Sequence, residues 1–428
     1  MMQAIKNNKF YGNSLIFLAG SAVGGLGSYI FNFLMARMLG VEGYGELQSV
    51  LALVAILGIP LATLSTVIVK SVAGFTAQNE QGKIAYLLVG LSKKIFLTGA
   101  IFFILFLIIK NWLSGFLNLT SVVPLIVLAL VMLVSLLSSV NNAFLQGLQK
   151  FKQFSIASSL SVLVKILLGY YFVKFGFYVS GAVGAVALSG MAGYVLAWLP
   201  LKFLFSYKNN GERRFITSQD MPVMRQYLMP VFFTFFFMTW LMNIDIILAK
   251  HFFDPADAGQ YAALAVIGHI IFFVIGPLVA VMFPMSVAAH TNQGDHGKIL
   301  KNSAGIALIA GAMATAIYFL LPGLIVKIIV GSQFLAMAPY LGWFGLAMLF
   351  YSLVYLISQY LLAINQTKFV WLLAGIGVLQ LVLILIWHAS IGQLVWIMAG
   401  VMGLCLILLI IYYIYARKKD NFSHRAGV

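Results

Sequence analysis

Acidic residues are scarce in this chain. Asp and Glu number 10 among 428 residues, and all charged types together make up 8%. A soluble domain carries about 25% charged residues, so a water-facing surface cannot be built from this composition. Cysteine is rarer still: Cys405 stands alone inside an apolar run, which excludes a disulfide framework and CxxC redox chemistry. The 6 histidines form neither HxxxH nor HExxH, so no metal centre is expected, and no cofactor. DxD and P-loop patterns are missing, as are carboxylate pairs at glycosidase spacing, so an enzyme is not expected.

What is present in excess is apolar surface. Hydrophobic residues make up 62% of the chain. They occur as long uniform runs rather than the short alternating segments of a membrane barrel. A helix needs about 20 apolar residues to cross roughly 30 Å of hydrocarbon. The fold class expected is therefore all-α integral membrane. About twelve transmembrane helices can be drawn, at 13–39, 47–71, 95–116, 121–143, 154–174, 179–204, 229–250, 260–286, 302–329, 339–364, 369–388 and 391–415. The basic start "MMQAIKNNKFYGNS" precedes a run too long for a secretory h-region and without a small-x-small site, so it reads as an uncleaved first span.

With twelve spans both termini share one side, and most of the 26 Lys and Arg fall there, from Lys6 and Lys9 through Lys150, Lys298 and Lys301 to Arg417. Positive loops mark the cytoplasmic side, so both termini are expected to be cytoplasmic. The net charge of +16 is then mostly a topology signal. Scattered over short loops, it gives no nucleic-acid surface.

The chain repeats itself. "TAQNEQGKI" (76–84) returns as "TNQGDHGKI" (291–299). "NFLMARMLGVEGYGEL" (32–47) faces "DIILAKHFFDPADAGQY" (245–261), which sets Asn32 against Asp245 and Arg37 against Lys250. "LQGLQKF" (145–151) faces "LAINQTKF" (362–369), and "GIPL" (58–61) faces "GPL" (276–278). Four short matches in one order at nearly one offset divide the chain into two parallel six-helix pseudo-repeats around a central cavity: a lobe at 1–205, a cytoplasmic linker at 206–228 and a lobe at 229–428. In transporters built from parallel repeats, substrate binds between the halves and one half rocks against the other.

The segments "FLMARMLGVEGYGELQSV" and "NAFLQGLQKFKQFSI" resemble the polysaccharide biosynthesis, or oligosaccharide flippase, proteins of the multidrug/oligosaccharidyl-lipid/polysaccharide superfamily, O-antigen flippases among them. The resemblance covers nearly the whole chain. It implies that an undecaprenyl-pyrophosphate-linked glycan crosses from the inner to the outer leaflet of a bacterial plasma membrane, through a cavity lined largely by spans 1, 2, 7 and 8. It implies as partners that glycan, membrane lipids, and polysaccharide polymerase or ligase components.

Moving a sugar and two phosphates through hydrocarbon calls for fixed cations and sugar hydrogen-bonders. Charges inside spans are costly, so each one is a functional candidate. Lys165, in "SSLSVLVKILLGYYFVK", lies mid-span and is the best placed to attract pyrophosphate; the alternative is a structural pairing within its lobe. Arg37 and Lys250, at equivalent outer span ends, are either cavity cations or interfacial snorkellers. Asp245 is the one acid well inside a span, a candidate for ion coupling or for a structural ion pair, and Asn32 is its counterpart. His269 and Gln359 could bind sugar hydroxyls, although with Asn243 and Gln380 they equally suit interhelical hydrogen bonds. Pro60 and Pro277 remove a backbone hydrogen bond within their spans, as gate hinges or tolerated kinks.

The competing readings are a drug or cation exporter of the same superfamily, which should carry carboxylates in its first half, and a peptidoglycan-precursor flippase, which should have fourteen spans. A polymerase or ligase should carry a long outward loop. A passive structural subunit remains the least specific reading.

Overall fold

The computed structural model describes residues 2–204, 222–291 and 294–426. All regular structure among them is helical. The first part contains α1 (Met2–Leu57), α2 (Ile59–Ala77), α3 (Gln81–Phe116), α4 (Val123–Gly147), α5 (Phe151–Phe172) and α6 (Tyr178–Trp198). The second contains α7 (Pro222–Phe252), α8 (Pro255–Thr291), α9 (His296–Leu320), the short α10 (Pro322–Ile329), α11 (Leu341–Ala363), α12 (Val370–Ile386) and α13 (Ile391–Ala426). Among the described residues, ten segments are long and apolar enough to cross a membrane. One of them, Phe151–Leu201, runs through both α5 and α6, and the 17-residue α12 falls just short, so the twelve expected spans are recovered as helices.

The chain forms two compact units, Met1–Met229 and Pro230–Val428. Of the expected linker, 206–221 lie outside the described residues, and from Pro222 onward the chain is already helical in α7.

Within the first unit α4 packs against α2, α3 and α6, while α5 packs against α1 and α6. Within the second, α11 packs against α8, α9 and α13. α4 and α11 therefore occupy the same place in their units. The hydrophobic centre of the first unit gathers Val72, Ile84, Leu88 and Phe144. The segment containing α11 is the most enclosed of all the spans, with 78% of its apolar window buried.

Backbone turns repeat as well. α4 ends on Gln149 (φ 57°) and α11 on Asn365 (φ 58°). Each closes with the same pair of hydrogen bonds, Lys150 N to the Leu145 carbonyl with Gln149 N to Gln146, and Gln366 N to Leu361 with Asn365 N to Leu362. This left-handed closing residue satisfies the last helical carbonyls. Asn118 (φ 45°) closes α3 in the same way, with Leu119 N to Ser114 and Asn118 N to Gly115. The "QGK" matches of the sequence now have a place: Glu80 and Asp295 are the N-cap residues of α3 and α9, each three residues before a lysine.

One expected boundary moves. The sequence placed a break between spans at 40–46 and a bend at Pro60. The chain instead turns at Gly40 (φ 73°, ψ −177°) while helix resumes at once, and α1 gives way to α2 at Gly58. Pro60 therefore sits in the first turn of α2, where its missing N–H costs nothing, rather than bending a helix from within. Pro277 does lie inside α8.

The Gly40 conformation is one that essentially only glycine adopts, at a cost of about 1–3 kcal/mol for other residues. A Cβ there would meet nothing within 4 Å, so the strain is purely in the backbone. Gly40→Ala should lower stability by about that amount. Gly25→Ala, at a helical position with equally open space, should be neutral or stabilising. Thermal unfolding in detergent measures both; equal melting points would refute the strained turn.

Candidate functional site

In the first unit a chain of polar side chains runs along α1. Lys165 on α5 donates from Nζ to Ser28 Oγ (2.9 Å). Ser28 Oγ in turn donates to the Gly24 carbonyl (2.9 Å), and Asn32 Nδ2 donates to the Ser28 carbonyl (3.0 Å). Asn32 Oδ1 accepts from Gln48 Nε2 at 2.6 Å, across the turn at Gly40. The Lys165 ammonium also lies 5.2 Å from the centre of the Phe31 ring. Glycine brings the helices close enough for this: a Cβ at Gly27 would collide with Val162 of α5, and one at Gly24 would come within 3.3 Å of Ser158 Oγ. Lys165 makes no ion pair with a carboxylate among the described residues; Glu46, the buried acid of this unit, is taken up by the N–H (2.9 Å) and hydroxyl (3.2 Å) of Thr120.

The second unit builds the same bridge from other chemistry. Tyr261 on α8 donates its hydroxyl to Asp245 Oδ2 on α7 at 2.6 Å, with both residues fully buried. Asp245 and Tyr261 are each 213 positions beyond Asn32 and Gln48. Beside it, Gln260 Nε2 donates to the Gln333 carbonyl (2.9 Å), as Glu46 reaches Thr120 in the first unit. The other oxygen of Asp245 has no hydrogen-bond partner among the described residues.

The remaining candidates separate. Lys250 is buried at 2% exposure, whereas its counterpart Arg37 is exposed, so the repeat does not give the two cations one environment. His269 is buried, and its Nε2 is without a hydrogen-bond partner among the described residues. Gln359, also buried, has a free Nε2. Gln380 is spent structurally on the Leu241 carbonyl (3.1 Å), and Asn243 on Thr239 (2.9 Å). Pro60 and Pro277 are both exposed. The structure thus joins Lys165 to Asn32, but gives Asp245 a tyrosine rather than a cation. Ser28, Gln48 and Tyr261 escaped the sequence reading. The last two carried a signal, since they stand at the offset that aligns Asn32 with Asp245.

No cluster of three metal-ligating side chains occurs among the described residues. Along these two bridges the chemistry available is therefore hydrogen bonding, the Lys165 cation in the first unit and the Asp245 carboxylate in the second.

A family model described as "Polysaccharide biosynthesis protein" matches residues 11–290. No protein of curated function matches the sequence. Among solved structures the chain is similar to an inward-facing multidrug resistance MATE family transporter of the MOP superfamily, with TM-score 0.76 and 14% identity over 94% of this chain and 96% of that one. It is similar to the lipid II flippase MurJ in an inward closed conformation, with TM-score 0.64 and 13% identity over 93% and 87% of the two chains. A MOP superfamily transporter from Pyrococcus furiosus, described as having a binding pocket of reversed polarity, aligns with TM-score 0.62 and 14% identity over 95% and 94%. At these identities the likeness is one of fold.

The two bridges differ in what their loss leaves behind. Tyr261→Phe strands a buried carboxylate and should cost about 1–3 kcal/mol or more. Gln48→Leu leaves Asn32 its bond to Ser28 and should cost about 0.5–1.5 kcal/mol. Chemical or thermal unfolding of the two variants ranks them, and the reverse order would refute the burial argument.

Proposed function

The chain belongs to the polysaccharide biosynthesis protein family, and from that premise we propose that it is a flippase for lipid-linked glycan. In this reading it carries a polyprenyl-pyrophosphate-linked oligosaccharide from the cytoplasmic to the outer leaflet of a bacterial plasma membrane by alternating access. The cargo feeds surface polysaccharide such as the O-antigen of lipopolysaccharide, and both termini stay in the cytoplasm. Polymerase or ligase components receive the glycan outside.

The observation that carries this reading is Lys165. It is a cation within a span, held by one neutral hydroxyl and an aromatic face, with no acid to quench it. A positive charge left unneutralised at that depth suits a phosphorylated cargo and repels a cationic drug. Ser28, Asn32 and Gln48 add amide and hydroxyl groups beside it, which suits sugar.

Lys165→Ala should reduce surface glycan roughly 10- to 100-fold, the worth of a hydrogen bond to a charged group, while lipid-linked oligosaccharide accumulates inside. Lys165→Arg should retain much of the export. Surface glycan is measured with protein level controlled. Normal glycan from Lys165→Ala would overturn the proposal.

A second reading, an ion-coupled exporter of drugs or other small molecules, is favoured by the buried carboxylate of Asp245 with its unoccupied oxygen. Purified protein in liposomes with an imposed proton or sodium gradient separates the two. The exporter reading expects gradient-driven efflux of a cationic dye that Asp245→Asn abolishes. The flippase reading expects no dye efflux from either protein.

A further inference from the structure

A groove of 790 Å³ opens between α9, α11 and α13 at the N-terminal end of α9, wholly inside the second unit. Binding sites for small molecules span about 300–1,000 Å³. The lining changes character with depth. Lys298, Lys301 and Asn302 stand exposed at the mouth. One and two turns further along the same helix come Gly305 and Leu308, facing Leu353 and Ile357 of α11 and Ile410 of α13. Residues at such spacing share a helix face, so α9 presents one stripe that begins basic and ends apolar.

The mouth is electropositive for three reasons. Neither lysine makes an ion pair with a carboxylate among the described residues. The amides of the first turn of α9 point toward it with the positive end of the helix dipole. The one acid in the lining, Asp295, is the N-cap, accepting from Lys298 N at 3.1 Å, and its single negative charge leaves the two lysines a net positive charge. The groove is also open in its middle, because a Cβ on Gly305 would meet nothing within 4 Å.

We propose that this groove is a binding site for an anionic phospholipid. Its phosphate sits between Lys298 and Lys301, and an acyl chain lies along Leu308, Leu353 and Ile410. A zwitterionic lipid brings its own ammonium group to the two lysines, so the site selects for net negative headgroups. The site uses neither Lys165 nor Asp245 and is independent of the transport reading.

Native mass spectrometry of the delipidated full-length protein tests this, with phosphatidylglycerol and phosphatidylcholine of matched chains added in competition. The wild type should retain one phosphatidylglycerol in preference to phosphatidylcholine. Each lysine contributes about fivefold near a membrane surface, so Lys298→Gln with Lys301→Gln should cut that preference about 25-fold. Gly305→Trp, whose Cβ enters open space, puts an indole into the groove and should abolish tight retention of either lipid at unchanged melting temperature. Equal retention of the two lipids by the wild type, an unaltered preference in the double variant, or unaltered retention in Gly305→Trp would overturn the proposal. So would preferential retention of undecaprenyl phosphate or of inorganic phosphate over phosphatidylglycerol.

Discussion

Hydrocarbon offers a polar side chain no partner, so a polar group in a span is stabilised chiefly by what the chain itself supplies. That constraint decides where this protein spends its side-chain hydrogen bonds. Most serine and threonine hydroxyls turn back on their own helix, as Thr63 does to Ile59, Thr234 to Pro230 and Ser352 to Met348. These bonds are local and position nothing. The few that reach across a turn do more. Gln48 to Asn32 and Tyr261 to Asp245 each tie the first helix of a unit to the segment that follows the turn. The turn at Gly40 and the break between α7 and α8 are therefore held from both sides.

The same tie appearing twice at one offset makes the repeat a physical statement as well as a textual one. Helix packing around α4 and α11, the left-handed closures at Gln149 and Asn365, and the N-caps at Glu80 and Asp295 all recur. What does not recur is the charge at the polar centres. An amide pair in the first unit stands where the second has a carboxylate and a phenol. Lys165 has no charged equivalent: at the offset that aligns Phe151 with Phe369, its counterpart is Leu383. Two copies of one scaffold have thus acquired opposite electrostatic character at their polar centres.

The sequence made the scaffold legible because membrane spans announce themselves by length and hydropathy, and because turn motifs such as "LQGLQKF" keep their spacing. Mid-span charges were equally easy to find, since so few exist. Their partners were not. Which hydroxyl meets Lys165 depends on how closely α1 approaches α5, and that approach is set by Gly24 and Gly27 rather than by any pattern around Lys165. The role of Pro60 is ambiguous in the sequence for a related reason. Proline marks both helix starts and helix kinks, and only the backbone at Gly40 and Gly58 tells which applies. Asp245 invites a cation in a hydropathy plot, yet the hydrogen bond to one of its oxygens comes from a tyrosine one helix away.

Lys165 then raises a question of balance. An ammonium within a span costs about 2.5–3.5 kcal/mol on insertion scales. Its hydrogen bond to Ser28 returns about 1.5–3 kcal/mol, and the Phe31 face about 0.5–2. Those two contacts are enough to hold the cation in place, and neither cancels its charge. A carboxylate neighbour would have stabilised the side chain at least as well while extinguishing its field. Neutral partners keep the field intact, so the first unit retains at its polar centre an attraction for anions that its own fold does not consume.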